Sequence, residues 1–168
     1  MRRIWVAATA LAICVVASPA QADTRTRTDG TADAAGLPAA YDLISATWDY
    51  TPERLVVTAD LGETGREGVV LTARSSHFWE GYDVVARTWR QDGRTVRRLW
   101  IWFNTVERTP VACPGMRATW RPSTVRLSVP GSCLFDGTPM TDLSVTTNAR
   151  GSREVEDLVV GPRRLTSR

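Results

Sequence analysis

The chain has no lysine and only one histidine, His77. All 21 of its basic side chains are therefore arginine, a bias that reads as the imprint of a GC-rich coding genome and weakens any inference drawn from one Arg alone. No apolar run reaches the about 20 residues that a helix needs to cross a bilayer, which excludes a helical membrane span. Cys-x-x-Cys is absent, and with one histidine there is no ligand set for zinc or for a thiol redox pair. The nucleophile elbow Gly-x-Ser-x-Gly and the calcium-loop pattern Asp-x-Asp-x-Asp-Gly are also missing. No stretch carries a sustained helical stripe. Neither a cofactor nor a metal has a signature here.

What is present begins with an export signal. Arg2 and Arg3 form a positive start, Ile4 to Val16 is apolar, and Ser18-Pro19-Ala20-Gln21-Ala22 ends in the small-x-small pattern of signal peptidase sites. Residues 1–22 read as a signal peptide cleaved after Ala22, and the mature protein as secreted or extracellular. A lipoprotein anchor at Cys14 fits poorly, because the bulky Ile13 sits where such sites take a small residue. Cleavage removes two of the 21 arginines, leaving 19 against 18 acidic residues, so the mature net charge is near +1. A nucleic-acid-binding protein usually displays a stripe of unpaired basic charge, and none survives this count.

The mature chain is 168 less 22, or 146, residues long, which suits a single domain with a real core. Residues 23–40 hold almost no large apolar side chains and read as a flexible leader. From Tyr41 the pattern turns to short Val-, Thr-, Trp- and Leu-rich runs punctuated by Gly, Pro and charge, the grammar of strands and turns. Strands are predicted at 42–49, 54–60, 68–74, 82–90, 95–104, 117–121, 124–129 and 142–148. Val125, Leu127 and Val129 alternate with Thr124, Arg126 and Ser128, the period of a half-buried strand. In 95–104 the same habit is blurred, with Trp100 and Trp102 among the interleaved positions. Asp92-Gly93 is a strong hairpin signal.

About eight short strands predict an all-β, two-sheet antiparallel sandwich or jelly roll over 41–149. Residues 150–168 form an Arg-rich, partly ordered tail. In it Leu158-Val159-Val160 offers an edge strand or a turn of helix, and Gly161-Pro162-Arg163-Arg164 a frayed end.

Cleavage also removes Cys14 and leaves Cys113 and Cys133, which in an oxidising compartment predicts a disulfide. The runs 117–121 and 124–129 flank Pro122-Ser123 as a hairpin. With a two-residue turn Ala118 meets Leu127 and Trp120 meets Val125, so the apolar faces agree. The cysteines fall one residue out of that register, and Pro114-Gly115 and Pro130-Gly131 are where a bulge would absorb it. Closing a loop of about 20 residues is worth roughly 3 kcal/mol in the chain-entropy model.

Chemistry is harder to find. His77 with Ser75 or Ser76 and Asp83 can be written as a triad, but neighbouring strand residues point to opposite faces, which argues against it. Glu80, Asp83 and Asp60 are carboxylates of the kind a glycosidase uses, yet 18 acidic residues guarantee such candidates. Asp29 and Asp33 read as solvated acids of the leader. The remaining candidate is the aromatic loop of Phe78, Trp79 and Tyr82 around Gly81, of the kind that stacks on sugar rings. Against it stands a plainer reading, in which Trp79 plugs the end of the sandwich. Trp48, Trp89, Trp100, Trp102 and Trp120 lie within strands and read as core or sheet-face packing.

Val111-Ala112-Cys113-Pro114-Gly115 and Val125-Arg126-Leu127-Ser128-Val129-Pro130-Gly131-Ser132-Cys133-Leu134 give residues 42–147 a layout that resembles uncharacterised secreted β-sandwich proteins of actinobacteria. The Phe135-Asp136-Gly137-Thr138 insert departs from that pattern. The resemblance implies an exported sandwich with this disulfide and brings no activity, cofactor or catalytic residue with it. The expected function is a non-catalytic module binding an envelope polysaccharide or a cell-surface protein. A small hydrolase built on 75–83 and a purely structural accessory domain are the alternatives.

Overall fold

The computed structural model describes residues 22–29, 37–64, 67–77, 81–103, 107–134, 139–152 and 154–166. The signal segment, Phe78, Trp79 and the 135–138 insert lie outside these. Among the described residues twelve strands run in the order β1 (Asp23–Thr28), β2 (Leu43–Thr51), β3 (Arg54–Leu61), β4 (Val69–His77), β5 (Tyr82–Gln91), β6 (Arg94–Phe103), β7 (Glu107–Val111), β8 (Arg117–Arg121), β9 (Thr124–Pro130), β10 (Met140–Ala149), β11 (Asp157–Val160) and β12 (Arg164–Leu165). All pairings are antiparallel. One sheet has five strands in the order β1-β2-β3-β9-β8. The other has seven, β11-β10-β4-β5-β6-β7, with β12 beside β10. No described helix is long and apolar enough to cross a membrane.

The two sheets pack through the positions that the alternation selects. Ala46, Trp48 and Tyr50 of β2, Leu55, Val57 and Ala59 of β3, and Val125, Leu127 and Val129 of β9 supply one side of the core. Leu71 and Ala73 of β4, Tyr82, Val84 and Ala86 of β5, and Leu143 and Val145 of β10 supply the other. Trp48 is fully buried at the centre of this layer. Burying a side chain of that size contributes several kcal/mol relative to leaving it in water.

All eight predicted strands are present, β8 with the boundaries expected. Asp92 and Gly93 both take positive φ, 50° and 69°, as a two-residue primed turn requires. Arg117 to Arg121 pair with Thr124 to Ser128 in the expected register, Ala118 opposite Leu127 and Trp120 opposite Val125. The disulfide joins Cys113 and Cys133 with a Cα–Cα distance of 5.6 Å. Gly115 at φ 88° and a short 3-10 turn at Gly131–Cys133 take up the one-residue mismatch. Cys113 follows β7 and Cys133 follows β9, so the bridge ties the seven-stranded sheet to the five-stranded one. A side chain at Gly131 would run into the carbonyl of Pro52, which is why glycine stands at this turn.

Three expectations need correction. The flexible leader contains β1, an edge strand on β2 in which Thr24 bonds Asp49 and Thr26 bonds Thr47. It lacked apolar alternation because an edge strand facing solvent does not need it. The sandwich therefore extends past 41–149 at both ends, since β11 and β12 belong to the larger sheet. Arg164, expected in a frayed end, pairs with Thr141 as part of β12. Of the two forms offered for Leu158-Val159-Val160, an edge strand or a turn of helix, the edge strand is the one present.

Candidate functional site

Strand register lays out the outer face of the seven-stranded sheet as rows of side chains. One row crosses β11 to β7 as Val160, Ser144, Arg74, Val85, Trp100 and Pro110. The next runs Leu158, Thr146, Thr72, Arg87 and Arg98. A third brings Ser76, Asp83 and Trp102 together near the β4–β5 turn. Proline in β7 is tolerated because that strand is an edge and needs fewer ladder donors.

Two of the arginines on this face lie over tryptophan rings. The guanidinium carbon of Arg74 lies 5.7 Å from the centre of the Trp102 ring, and that of Arg87 lies 5.5 Å from Trp100. Arg74 also donates from Nε to Asp83 Oδ2 at 2.9 Å, and its Nη2 makes an ion pair with the same oxygen. Ser76 Oγ donates to the other oxygen of Asp83 at 2.5 Å. Val85 points outward between Arg74 and Trp100 yet has no exposed surface. An outer sheet face so covered by its own side chains differs from the solvated polar face usual in antiparallel sandwiches.

Residues of these rows line a groove of about 510 Å³, among them the buried Thr72, then Ser144 and Thr146 of β10 and the exposed Leu158 and Val160 of the edge strand. Those two and Val155 are among the few large apolar side chains left exposed. Thr72 is 7% exposed, and its buried hydroxyl has no hydrogen-bond partner. Native proteins seldom leave such a group unmet.

The residues singled out from sequence fare differently. Phe78 and Trp79 lie outside the described residues. Tyr82, expected beside them as a sugar platform, is 2% exposed and belongs to the core. Its parity explains this: Tyr82, Val84 and Ala86 point inward, while Asp83, Val85 and Arg87 point outward. Ser75 is buried on the inner side, and Ser76 turns outward to Asp83. A nucleophile, base and carboxylate are thus not gathered among the described side chains of 75–83.

Asp29, Asp42 and Asp157 bring carboxylate oxygens within 4.8 Å of one another. Asp157 is buried and accepts from the backbone N–H of Leu43 at 2.6 Å and of Leu158 at 2.7 Å. Its evident work is to fasten β11 to the start of β2.

Sequence reasoning had the tryptophans of β6 in view but not their grouping. Only the pairing of β10, β4, β5 and β6 places Trp100 and Trp102 against arginines from β4 and β5. The readable signal was the strict alternation of Asp83, Val85, Arg87 and Trp89. No family model, no curated protein and no solved structure matches this chain.

Proposed function

We propose that the protein is an exported, non-catalytic binding module that holds an envelope polysaccharide on the outer face of its seven-stranded sheet. One observation carries this reading: aromatic, guanidinium and hydroxyl side chains are ranked in register on that face beside a groove of about 510 Å³. Ligand grooves of roughly this size combine apolar walls with a few placed polar groups. An extended polymer suits a groove that runs across strands better than a compact metabolite does.

Export is part of the proposal. It is supported by the signal-peptide pattern of residues 1–22 and by the compatibility of a disulfide with an oxidising compartment. Phe78 and Trp79, aromatic and two and three positions past Ser76 in the sequence, are included in the proposal as further sugar contacts.

A glycan and cell-wall retention screen on residues 23–168 tests the reading. Retention is expected, with loss on Trp102→Ala and a smaller loss on Trp79→Ala, while both variants stay folded and the melting temperature falls by no more than several degrees. Failure of the folded protein to bind any polysaccharide or cell-wall preparation would reject it.

A further inference from the structure

Trp100 and Trp102 are not bare platforms. Each carries a guanidinium over one side of its indole ring, so a sugar ring stacking there would have to displace a cation–π contact. The same geometry does something else well. A guanidinium held over an aromatic ring keeps its full positive charge close to the surface, and that charge attracts a carboxylate or phosphate. Because the side chain is ordered before a ligand arrives, less rotamer freedom is lost on binding.

The groove lining is one-sided in charge. Arg74, Arg87 and Arg163 contribute to it, against one carboxylate, Asp142. Asp83, which pairs with Arg74, is only 12% exposed at its side chain, whereas Arg74 is 41% exposed. The pair thus presents mainly its cationic partner. A second and independent sign of a ligand lies in the groove lining, where the buried hydroxyl of Thr72 has no partner. Thr72 sits directly across from Arg87 in the ladder, two residues before Arg74. A bound oxyanion near those two guanidinium groups would bring an acceptor to the same spot.

Resting on the polysaccharide reading, we infer that the ligand is an anionic polysaccharide whose carboxylate or phosphate groups are held by Arg74, Arg87 and Arg163. Its uncharged carbon faces lie against Leu158 and Val160. Neutral glycans lack the group that these arginines are set to receive.

The test is affinity measured on three immobilised polymers, namely polygalacturonate for carboxylate, poly(glycerol phosphate) for phosphate, and dextran as the neutral control. Binding to at least one anionic polymer should exceed binding to dextran by about tenfold or more, as expected for charge-assisted hydrogen bonds, and should weaken as salt is raised. The two anionic arms show which oxyanion is preferred. Arg163→Gln and Arg87→Gln should each weaken that binding several-fold. Asp142→Asn should strengthen it, a gain that no loss of folding can imitate, and Arg163 and Asp142 are both exposed, so neither change disturbs the core.

Equal binding to dextran, or anionic binding that ignores both Arg163→Gln and Asp142→Asn, overturns the inference and leaves the polysaccharide reading standing. No binding to any of the three, together with an empty cell-wall screen, removes both. Retention of nucleic acid alone would overturn both in favour of a different polymer.

Discussion

The two sheets share one core and present opposite kinds of outer face. On the five-stranded sheet, Thr26, Thr47, Thr58, Arg126 and Thr119 follow one another across the strands. Short side chains there satisfy each other: Ser45 donates to Asp60 at 2.7 Å, and Thr124 donates to the second oxygen of the same carboxylate at 3.2 Å. On the seven-stranded sheet the equivalent rows carry Trp100, Trp102, Arg74, Arg87, Leu158 and Val160, with an unpartnered hydroxyl in their midst. The first face is closed upon itself and solvated. The second has large side chains, cations over aromatic rings and exposed apolar area, the features on which the proposed binding role rests. The difference teaches that in a sandwich the inner faces specify the fold and the outer faces are where function is to be sought.

Mutations can break this contrast or make it sharper. The largest effect belongs to the inner layer: Trp48→Ala should cost about 3–5 kcal/mol in urea or thermal unfolding, since it opens a cavity between the sheets. If Trp102 were mere cladding of equal weight, Trp102→Ala would cost as much, and the contrast would fail. Next comes the bridge between the sheets. Replacing Cys113 and Cys133 together by Ser should remove roughly 3 kcal/mol, and adding reductant to the native protein should lower its melting temperature by a comparable amount.

Trp102→Ala itself should lose about 1–2 kcal/mol, the cation–π pair with Arg74 plus partial burial, while abolishing polymer retention. The smallest effect sets the faces directly against each other. Thr72→Val removes a buried hydroxyl that bonds to nothing, and should change stability by less than about 0.5 kcal/mol or raise it. Thr47→Val, which strips Thr26 of its partner at 2.9 Å on the other sheet, should be mildly destabilising in the same assay.

Much of the fold was legible because inward positions of central strands repeat with period two. Val125, Leu127 and Val129 declare their strand, its facing partner and hence the place of the disulfide. What escaped notice were edges. β1 is Asp-Thr-Arg-Thr-Arg-Thr, polar on both sides, and nothing in such a run separates a strand from a loose leader until β2 is seen beside it. β7 and β12 are short, the first carrying a proline and the second only two residues long, so neither shows an alternation to read. The candidate site was less legible still. Phe78, Trp79 and Tyr82 form a cluster in sequence, whereas the rows of the sheet face collect one to three residues from each of six strands. Sequence proximity rewards loops, and a sheet face is assembled by register.

The hydrogen bond from the Thr166 amide to the Asp23 carboxylate, 3.3 Å long, spans 143 positions of the chain. It sets an order on events. The Cys113–Cys133 hairpin can close as soon as its 20-residue separation has emerged, but β10, the partner of β4, β11 and β12, comes near the end of the chain. A polypeptide passing through a translocation channel from its N-terminus would therefore wait with the seven-stranded sheet incomplete. Contacts of such long range fold slowly, on the millisecond-to-second scale typical of sandwiches. For the export proposed above, a topology that closes β10 on β4 and Thr166 on Asp23 favours passage before folding.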